Sequence, residues 1–90
     1  MIVKTDRSFD KDINKITDSV LCNKVADVIE KMQLIENINN LVGIKKLVGY
    51  INYYRIRIGD YRIGFRIENG IIILERCMHR KDIYRFFPKD

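Results

Sequence analysis

Cysteine, proline and histidine are scarce in this chain of 90 residues, which has two cysteines, one proline and one histidine. Cys22 and Cys77 lack the close spacing of a metal-binding motif, so we expect no metal site and two reduced, packed thiols. A disulfide between them is the less favoured alternative, since nothing indicates an oxidising compartment. Pro88 falls almost at the end, and no linker or repeat interrupts the chain. We therefore expect a single domain over residues 1–90.

Long apolar runs are also missing. The first residues, MIVKTDRSF, contain too short an apolar stretch for a signal peptide. No segment has the length that is needed to cross a bilayer. These absences predict a cytoplasmic protein without a membrane partner.

The motifs of several enzyme classes are absent. The sequence has no glycine-rich phosphate loop, no serine nucleophile motif and no ready carboxylate pair for glycoside chemistry. One histidine and scattered acids do not make a metal-ligand set. We therefore expect neither a metal nor another cofactor.

The chain does have a net positive charge, and this excess lies in its second half. Of the formal net charge of +5, residues before Lys45 contribute −1, from six basic and seven acidic residues. Residues from Lys45 onward contribute +6, from eleven basic and five acidic residues. A localised basic region of this kind is typical of a surface that binds nucleic acid or an acidic protein.

Apolar periodicity predicts an α+β fold. Met1 to Lys4 can form a first strand, and Ser8 or Asp10 can cap a first helix. A second helix is predicted from about Ser19, with an apolar stripe at Leu21, Val25, Val28, Ile29 and Met32. The two helices should form a hairpin that covers one face of a small antiparallel sheet. The stretch 37–46 has no clear pattern and is interpreted as a connection, and residues 80–87 as a short C-terminal helical turn.

Two turns define the predicted sheet. Reversal at Gly59-Asp60 would place Ile58 opposite Tyr61 and Arg57 opposite Arg62. Like charges directly across a strand pair are destabilising unless water or an anion such as phosphate relieves them. The face that carries Tyr53, Arg55 and Arg57 should therefore be a basic surface, and the alternative is a merely solvated polar face.

The second turn, Asn69-Gly70, would extend this register into a third strand. Ile67 should then meet Ile72 and Phe65 should meet Leu74 on the apolar face. On the basic face, the same register pairs Arg62 with Cys77 and Gly64 with Glu75, and it places His79 there too. Gly64 would leave an open position beside the arginines, unless it marks a bulge or a weakened strand.

The residue types of the basic face suit the cleavage of an RNA phosphodiester in which the RNA supplies its own nucleophile. Arginines can bind a phosphate with two hydrogen bonds and stabilise its additional charge in the transition state. Histidine is the side chain that most readily exchanges a proton near neutral pH, so His79 is the chemical candidate for acid or base. The alternatives are a surface or packed role for His79 and, for Tyr84, a tail aromatic on the core.

These residues carry a resemblance to the RelE/ParE superfamily, the toxins of type II toxin–antitoxin modules. The run LVGYINYYRIRIGDYRIGFRI, followed by an apolar strand and HRKDIYRFF, is similar to the core of that superfamily over the last half of the chain. The resemblance implies a RelE-like fold and an antitoxin that wraps and neutralises the toxin in a hetero-oligomer. For the RelE-like branch it further implies entry into the ribosomal A site, contacts with ribosomal RNA and cleavage of the bound mRNA.

Carried over by position, the resemblance assigns roles to individual residues. Arg62 and Arg80 would hold the scissile phosphate, and Tyr84 would stack on or orient the attacked nucleotide. Arg55, Arg57 and Lys81 would bind the RNA backbone. The best-known members have lysines where this chain has Arg55 and Arg57, and arginine effectively keeps its proton, so the role of base shifts towards His79.

Two other functions stay open at this point. ParE-like members of the superfamily inhibit DNA gyrase as binding proteins, and a pure gyrase binder would not need the set Arg62, His79, Arg80 and Tyr84. A non-toxic RNA-binding module is the third interpretation, but the sequence shows little stacking platform beyond Tyr53 and Tyr84.

Overall fold

The computed structural model describes residues 1–88. The predicted domain extends to Asp90, and its last two positions lie outside the described residues. Within residues 1–88, five strands form one sheet in the order β1-β5-β4-β3-β2. The strands are β1 (Ile2–Thr5), β2 (Ile44–Lys46), β3 (Tyr53–Ile58), β4 (Tyr61–Glu68) and β5 (Ile71–His79). The helices are α1 (Arg7–Asn14), α2 (Ser19–Leu34) and α3 (Ile83–Phe86), with a 3-10 turn at Ile38–Asn40.

The α+β architecture is confirmed, with three differences in detail. The sheet is mixed, because β1 pairs with β5 in the parallel direction. Helix α1 begins at Arg7, before both predicted caps, and follows Asp6. The unassigned stretch 37–46 contains a 3-10 turn and strand β2. That strand has three residues, too few for its alternation to be recognised in the sequence.

The main core lies between the helical hairpin and one face of the sheet. Phe9 of α1, together with Leu21, Val25 and Met32 of α2, packs against the apolar face of β3, β4 and β5. Asp18 caps α2 by accepting hydrogen bonds from the N–H groups of Val20 and Leu21. This cover leaves the opposite face of the sheet available for the basic residues.

Both predicted turns are present. Asn69 and Gly70 have φ of 52° and 76°, the left-handed values that a type I′ turn requires at both central positions. Gly59 has φ of 58°, which suits the first central position of a type II′ turn. The registers next to these turns are as predicted, including Arg57 opposite Arg62 and Phe65 opposite Leu74.

From Phe65 to the Asn69-Gly70 turn the predicted register between β4 and β5 is correct, but from Tyr61 to Gly64 it is wrong. The pairing shifts by one residue between Gly64 and Phe65, where β5 accommodates Glu75 as an extra residue. Arg62 therefore lies opposite Met78 and not Cys77, and Gly64 lies opposite Arg76 and not Glu75. Because strand side chains alternate, the shift moves every later residue of β5 to the other face.

Candidate functional site

An open cavity on the basic face brings five of the predicted site residues together. Its volume is about 490 Å³, and it is lined by Arg55, Arg62, Arg80, Lys81 and Tyr84. Strands β3 and β4 supply the first two residues, and the turn from β5 into α3 supplies the next two. All five side chains are cationic or aromatic, so the cavity suits an anion that carries an aromatic group, such as a nucleotide.

Arg62 lies within this cluster of cations. Its Nη1 donates hydrogen bonds to the carbonyl oxygens of Gly59, at 2.8 Å, and Tyr61, at 2.9 Å. Burial lowers the pKa of the Arg62 guanidinium, and the neighbouring charge of Arg55 is the next cause in size. The charges of Arg57 and Arg80 lower this pKa further. A bound anion would offset the repulsion among these arginines.

Arg55 is held by the segment that precedes β2. Its Nη1 donates to the carbonyl oxygen of Gly43 at 3.0 Å. Its Nε is buried and has no hydrogen-bond partner among the described residues. Buried donors are normally satisfied. Because Nε is shielded from solvent, a ligand in the cavity would approach the terminal nitrogens of this guanidinium.

Arg80 and Lys81 are placed by the turn that follows β5. The backbone N–H of Arg80 donates to the carbonyl oxygen of Asp60 at 2.7 Å, which ties this turn to the β3–β4 turn. The side chain of Arg80 is 58% exposed, and its Nε lies 3.8 Å from a carboxylate oxygen of Asp60. An exposed pair at that distance contributes little, so the guanidinium remains available to a ligand.

Helix α3 presents Tyr84 by burying its neighbours. Ile83 and Phe87 are 0% and 1% exposed, whereas Tyr84 is 57% exposed. Phe87 lies directly over Gly64, where a Cβ atom would come within 2.5 Å of the ring. The predicted open position at Gly64 is therefore wrong, because this aromatic ring fills it.

His79 does not line the cavity. Its predicted place on the basic face is wrong, because the extra residue in β5 sets His79 opposite Tyr61 on the helix-covered face. The two rings make an edge contact with centroids 5.6 Å apart. The imidazole still reaches the site indirectly, since its Nδ1 accepts a hydrogen bond from the backbone N–H of Lys81 at 3.1 Å.

Two other arginines of the sheet are engaged in ion pairs. Arg66 contacts Glu75 at 2.8 Å and Asp6 and Glu68 at 3.2 Å. The hydrogen bond with Glu75 raises the pKa of the Arg66 guanidinium. Arg76 donates from Nε and Nη2 to the buried carboxylate of Asp12, at 2.8 and 3.0 Å. On the basic face of the sheet, the strand arginines that form no ion pair within residues 1–88, Arg55, Arg57 and Arg62, therefore lie towards the β3–β4 turn.

Arg57 and Lys45 lie on the basic face without lining the cavity. Arg57 is exposed and opposite Arg62, as predicted. Lys45 pairs with Arg55 across β2 and β3, which places it on the same face. The sequence pattern did not single out Lys45, because strand β2 was not recognised.

A larger cavity, of about 550 Å³, lies between α1 and the C-terminal segment. It is lined by residues of both signs, among them Asp6, Glu75, Arg7 and Arg76, so it has no comparable excess of positive charge. Across residues 1–88, no group of three His, Cys, Asp or Glu side chains is arranged to hold a metal ion. None of the helices in the described part of the chain is long and apolar enough to span a membrane.

Comparison with known proteins agrees with the resemblance that the residues carry. Residues 3–84 match the family model of the ParE toxin of the type II toxin–antitoxin system parDE. The chain belongs to the RelE/ParE toxin superfamily. The toxin is 41% identical to Toxin RelE3 of Methanocaldococcus jannaschii over 83 aligned residues. The alignment covers 91% of this chain and 93% of that protein.

Solved structures show the same fold. The toxin matches the RelB-RelE antitoxin-toxin complex of Methanococcus jannaschii with a TM-score of 0.81 and 38% identity, over 94% of this chain and 99% of that one. It matches the archaeal RelE-RelB complex of Pyrococcus horikoshii OT3 with a TM-score of 0.73 and 17% identity, over 91% and 97% of the two chains. At that identity the second match shows the fold alone.

Proposed function

We propose that this toxin is a ribosome-dependent endoribonuclease that cleaves mRNA in the A site and thereby inhibits translation. The observation that carries the proposal is the cavity in which Arg55, Arg62, Arg80, Lys81 and Tyr84 meet. The similarity to Toxin RelE3 supports the RelE-like branch.

The phosphate is the group that this cavity would bind most strongly. Arg62 and Arg80 approach from neighbouring elements and can each offer two donors to one phosphate. Their guanidinium groups stay protonated and can stabilise the negative charge that grows on the phosphorus-bound oxygens. Arg55 and Lys81 would hold the adjoining backbone, with Arg57 at the exposed margin.

The nucleophile would come from the RNA. The 2′-OH attacks the adjacent phosphorus while the bond to the 5′-oxygen of the next nucleotide breaks, which leaves a cyclic phosphate and a free 5′-hydroxyl. This cleavage needs no side-chain nucleophile, and we propose that it needs no metal, because the arginines meet the phosphate charge. Within the cavity, Tyr84 and Lys81 are the side chains that can exchange a proton or position the attacked nucleotide.

His79 has a different role in this scheme from the one the sequence favours. It lies on the other face of the sheet and holds the N–H of Lys81 through Nδ1. We assign it a positioning role, in which it orients the turn that carries Arg80 and Lys81.

The partners of the toxin follow from the same proposal. RelB accompanies RelE in both solved complexes described above. A cognate antitoxin would bind this toxin in a hetero-oligomer and neutralise it, and the basic face would contact mRNA and ribosomal RNA. Such a target places the active toxin in the cytoplasm.

Primer extension on mRNA held in programmed ribosomes tests the nuclease directly. We expect cleavage within the A-site codon, reduced about 100-fold or more by Arg62→Ala or Arg80→Ala, because each change removes a charged donor from the phosphate. Arg7→Ala is the matched control, since Arg7 is an exposed arginine at the larger cavity. Circular dichroism and antitoxin affinity should be unchanged in all three variants. Equal cleavage by Arg80→Ala and the original toxin would contradict the proposed site.

Inhibition of DNA gyrase is the second candidate function, because the matching family model describes ParE toxins. A supercoiling assay with the same protein samples separates the two. Intact mRNA together with blocked supercoiling would show that the basic face is a binding surface and would reject the nuclease.

A further inference from the structure

The basic face continues past the cavity to the edge of the sheet. Lys45 pairs with Arg55 and is exposed, and it forms no ion pair with the described residues. Neighbouring strands lie about 4.8 Å apart, so Lys45 is one strand beyond the rim of the cavity. The cations Lys45, Arg55 and Arg62 therefore follow one another across β2, β3 and β4.

Aromatic rings lie beside this row of cations. Tyr53 precedes Arg55 by two residues, so both side chains are on the same face of β3. The ring centroids of Tyr50 and Tyr53 are 6.0 Å apart, and those of Tyr53 and Phe87 are 5.8 Å apart. Tyr50 is 41% exposed, and it lies at the solvent end of this aromatic row.

The carboxylates of Glu68, Glu75 and Asp6 mark the limit of this surface. They surround Arg66, which lies directly opposite Tyr53 in the register of β3 and β4. A polyanion that follows the free cations would therefore turn away from Arg66 and towards Lys45. Cations that track a backbone beside exposed aromatic rings are typical of single-stranded nucleic acid sites.

We propose that Lys45, Tyr50 and Tyr53 form a second RNA subsite, which binds a nucleotide flanking the one that is cleaved. Lys45 contacts the phosphate of that nucleotide, and its base stacks on the tyrosines. Stacking of this kind tolerates any base, so the subsite adds affinity with little sequence preference. This inference rests on the proposed function only in taking single-stranded RNA as the ligand of the basic face.

Fluorescence anisotropy with a 2′-O-methyl oligoribonucleotide measures this subsite without cleavage. We expect Lys45→Ala to weaken binding about 3-fold to 10-fold and to reduce the slope of log K against log salt by about 1, the effect of one lost phosphate contact. Tyr50→Ala should weaken binding about 10-fold, whereas Tyr50→Phe, which keeps the ring, should bind like the original toxin.

Lys46→Ala is the matched control. Lys46 is the next residue of β2, it is also exposed, and it pairs with Tyr54 on the opposite face. Equal binding by the two lysine variants, or no detectable binding of the oligonucleotide to the original toxin, would overturn the subsite. It would also be overturned if Lys45→Ala weakened only the complex with antitoxin, since Lys45 would then be a protein contact.

Cleavage of ribosomal mRNA, measured separately, distinguishes the two proposals. If Lys45→Ala alone weakens oligonucleotide binding but the original toxin leaves mRNA intact, the subsite stands and the nuclease fails. If mRNA is cleaved and Lys45→Ala binds like the original toxin, the nuclease stands and the subsite fails.

Discussion

His79 acts on the cavity through the backbone. Its ring lies on the helix-covered face against Tyr61, while its Nδ1 accepts the N–H of Lys81. The backbone N–H of the preceding residue, Arg80, donates to the carbonyl oxygen of Asp60. Two consecutive residues of the turn, Arg80 and Lys81, are therefore held by hydrogen bonds. We therefore expect the position of the Arg80 guanidinium to depend on His79, although the His79 ring lies on the other face of the sheet.

Substitution at His79 separates positioning from proton transfer. Asparagine can present an oxygen near the place of Nδ1, so His79→Asn should keep most of the cleavage activity. His79→Ala should lose about 5-fold, the effect of one lost hydrogen bond of about 1 kcal/mol to the turn. Single-turnover cleavage of ribosomal mRNA measures both rates.

The pH profile provides the control for this comparison. A proton carrier at position 79 would make His79→Asn as inactive as His79→Ala and would remove one limb of the profile. That result would restore His79 to the catalytic role that its chemistry suggested.

The residues of the site differ in how far the sequence could place them. Arg55, Arg57 and Arg62 lie close to the Gly59-Asp60 turn, whose short loop determines the register. Their shared face and the pairing of Arg57 with Arg62 are confirmed. His79 lies beyond the extra residue at Glu75, and nothing in the local sequence indicates that bulge. The error of one residue was enough to move the imidazole to the wrong face.

At the scale of elements, α3 holds Tyr84 at the cavity by packing on the basic face. Ile83 and Phe87 are buried there, apart from the main core between helices and sheet. Gly64 makes this docking possible, because Phe87 occupies the space of its missing side chain. The glycine and the ring therefore act as one unit.

A double-mutant cycle tests this unit. Gly64→Ala should destabilise the toxin by about 1–3 kcal/mol, because the methyl group overlaps the Phe87 ring and displaces it. In a Phe87→Ala background, the same change at Gly64 should cost less than about 0.5 kcal/mol, since the space is then empty. Urea unfolding gives the four free energies.

Additive costs in the cycle would show that the two residues do not share a contact in solution. The rate of mRNA cleavage is a second measurement of the same contact, because displacement of α3 would also displace Tyr84. We expect Gly64→Ala to lower the cleavage rate even under conditions in which the variant is fully folded.

Elements with strong local signals were predictable, and those defined by pairing were not. The amphipathic helix α2 and the Asn69-Gly70 turn have clear local signatures. Strand β2 has three residues, and the parallel pairing of β1 with β5 depends on contacts between distant parts of the chain. The predicted antiparallel sheet was incomplete for that reason, and Lys45 was missed together with β2.

At the scale of the whole molecule, the basic face is divided by charge. At one end Arg66 is neutralised by three carboxylates, and towards the other end Arg57 and Arg62 face each other without an acid between them. The first arrangement stabilises the fold, since the side chain of Glu75 is only 10% exposed. The second is repulsive in the free toxin and becomes favourable when a polyanion binds.

This division predicts that Arg57→Gln and Arg66→Gln change stability in opposite directions. Arg57→Gln removes one member of a like-charge pair and should stabilise the free toxin by about 0.2–1 kcal/mol while weakening RNA binding. Arg66→Gln leaves Glu75 without its strongest partner and should destabilise by about 1–3 kcal/mol. Urea unfolding at low and high salt measures both effects.

Salt identifies the cause of the Arg57 effect. Screening acts over about 10 Å at 0.1 M salt, so added salt should stabilise the original toxin by relieving the arginine repulsion and should stabilise Arg57→Gln less. A loss of stability in Arg57→Gln at low salt would mean that the exposed arginine contributes packing that outweighs its repulsion. The main repulsion on the basic face would then act between Arg62 and the cavity residues Arg55 and Arg80, whose charges also lower the pKa of Arg62.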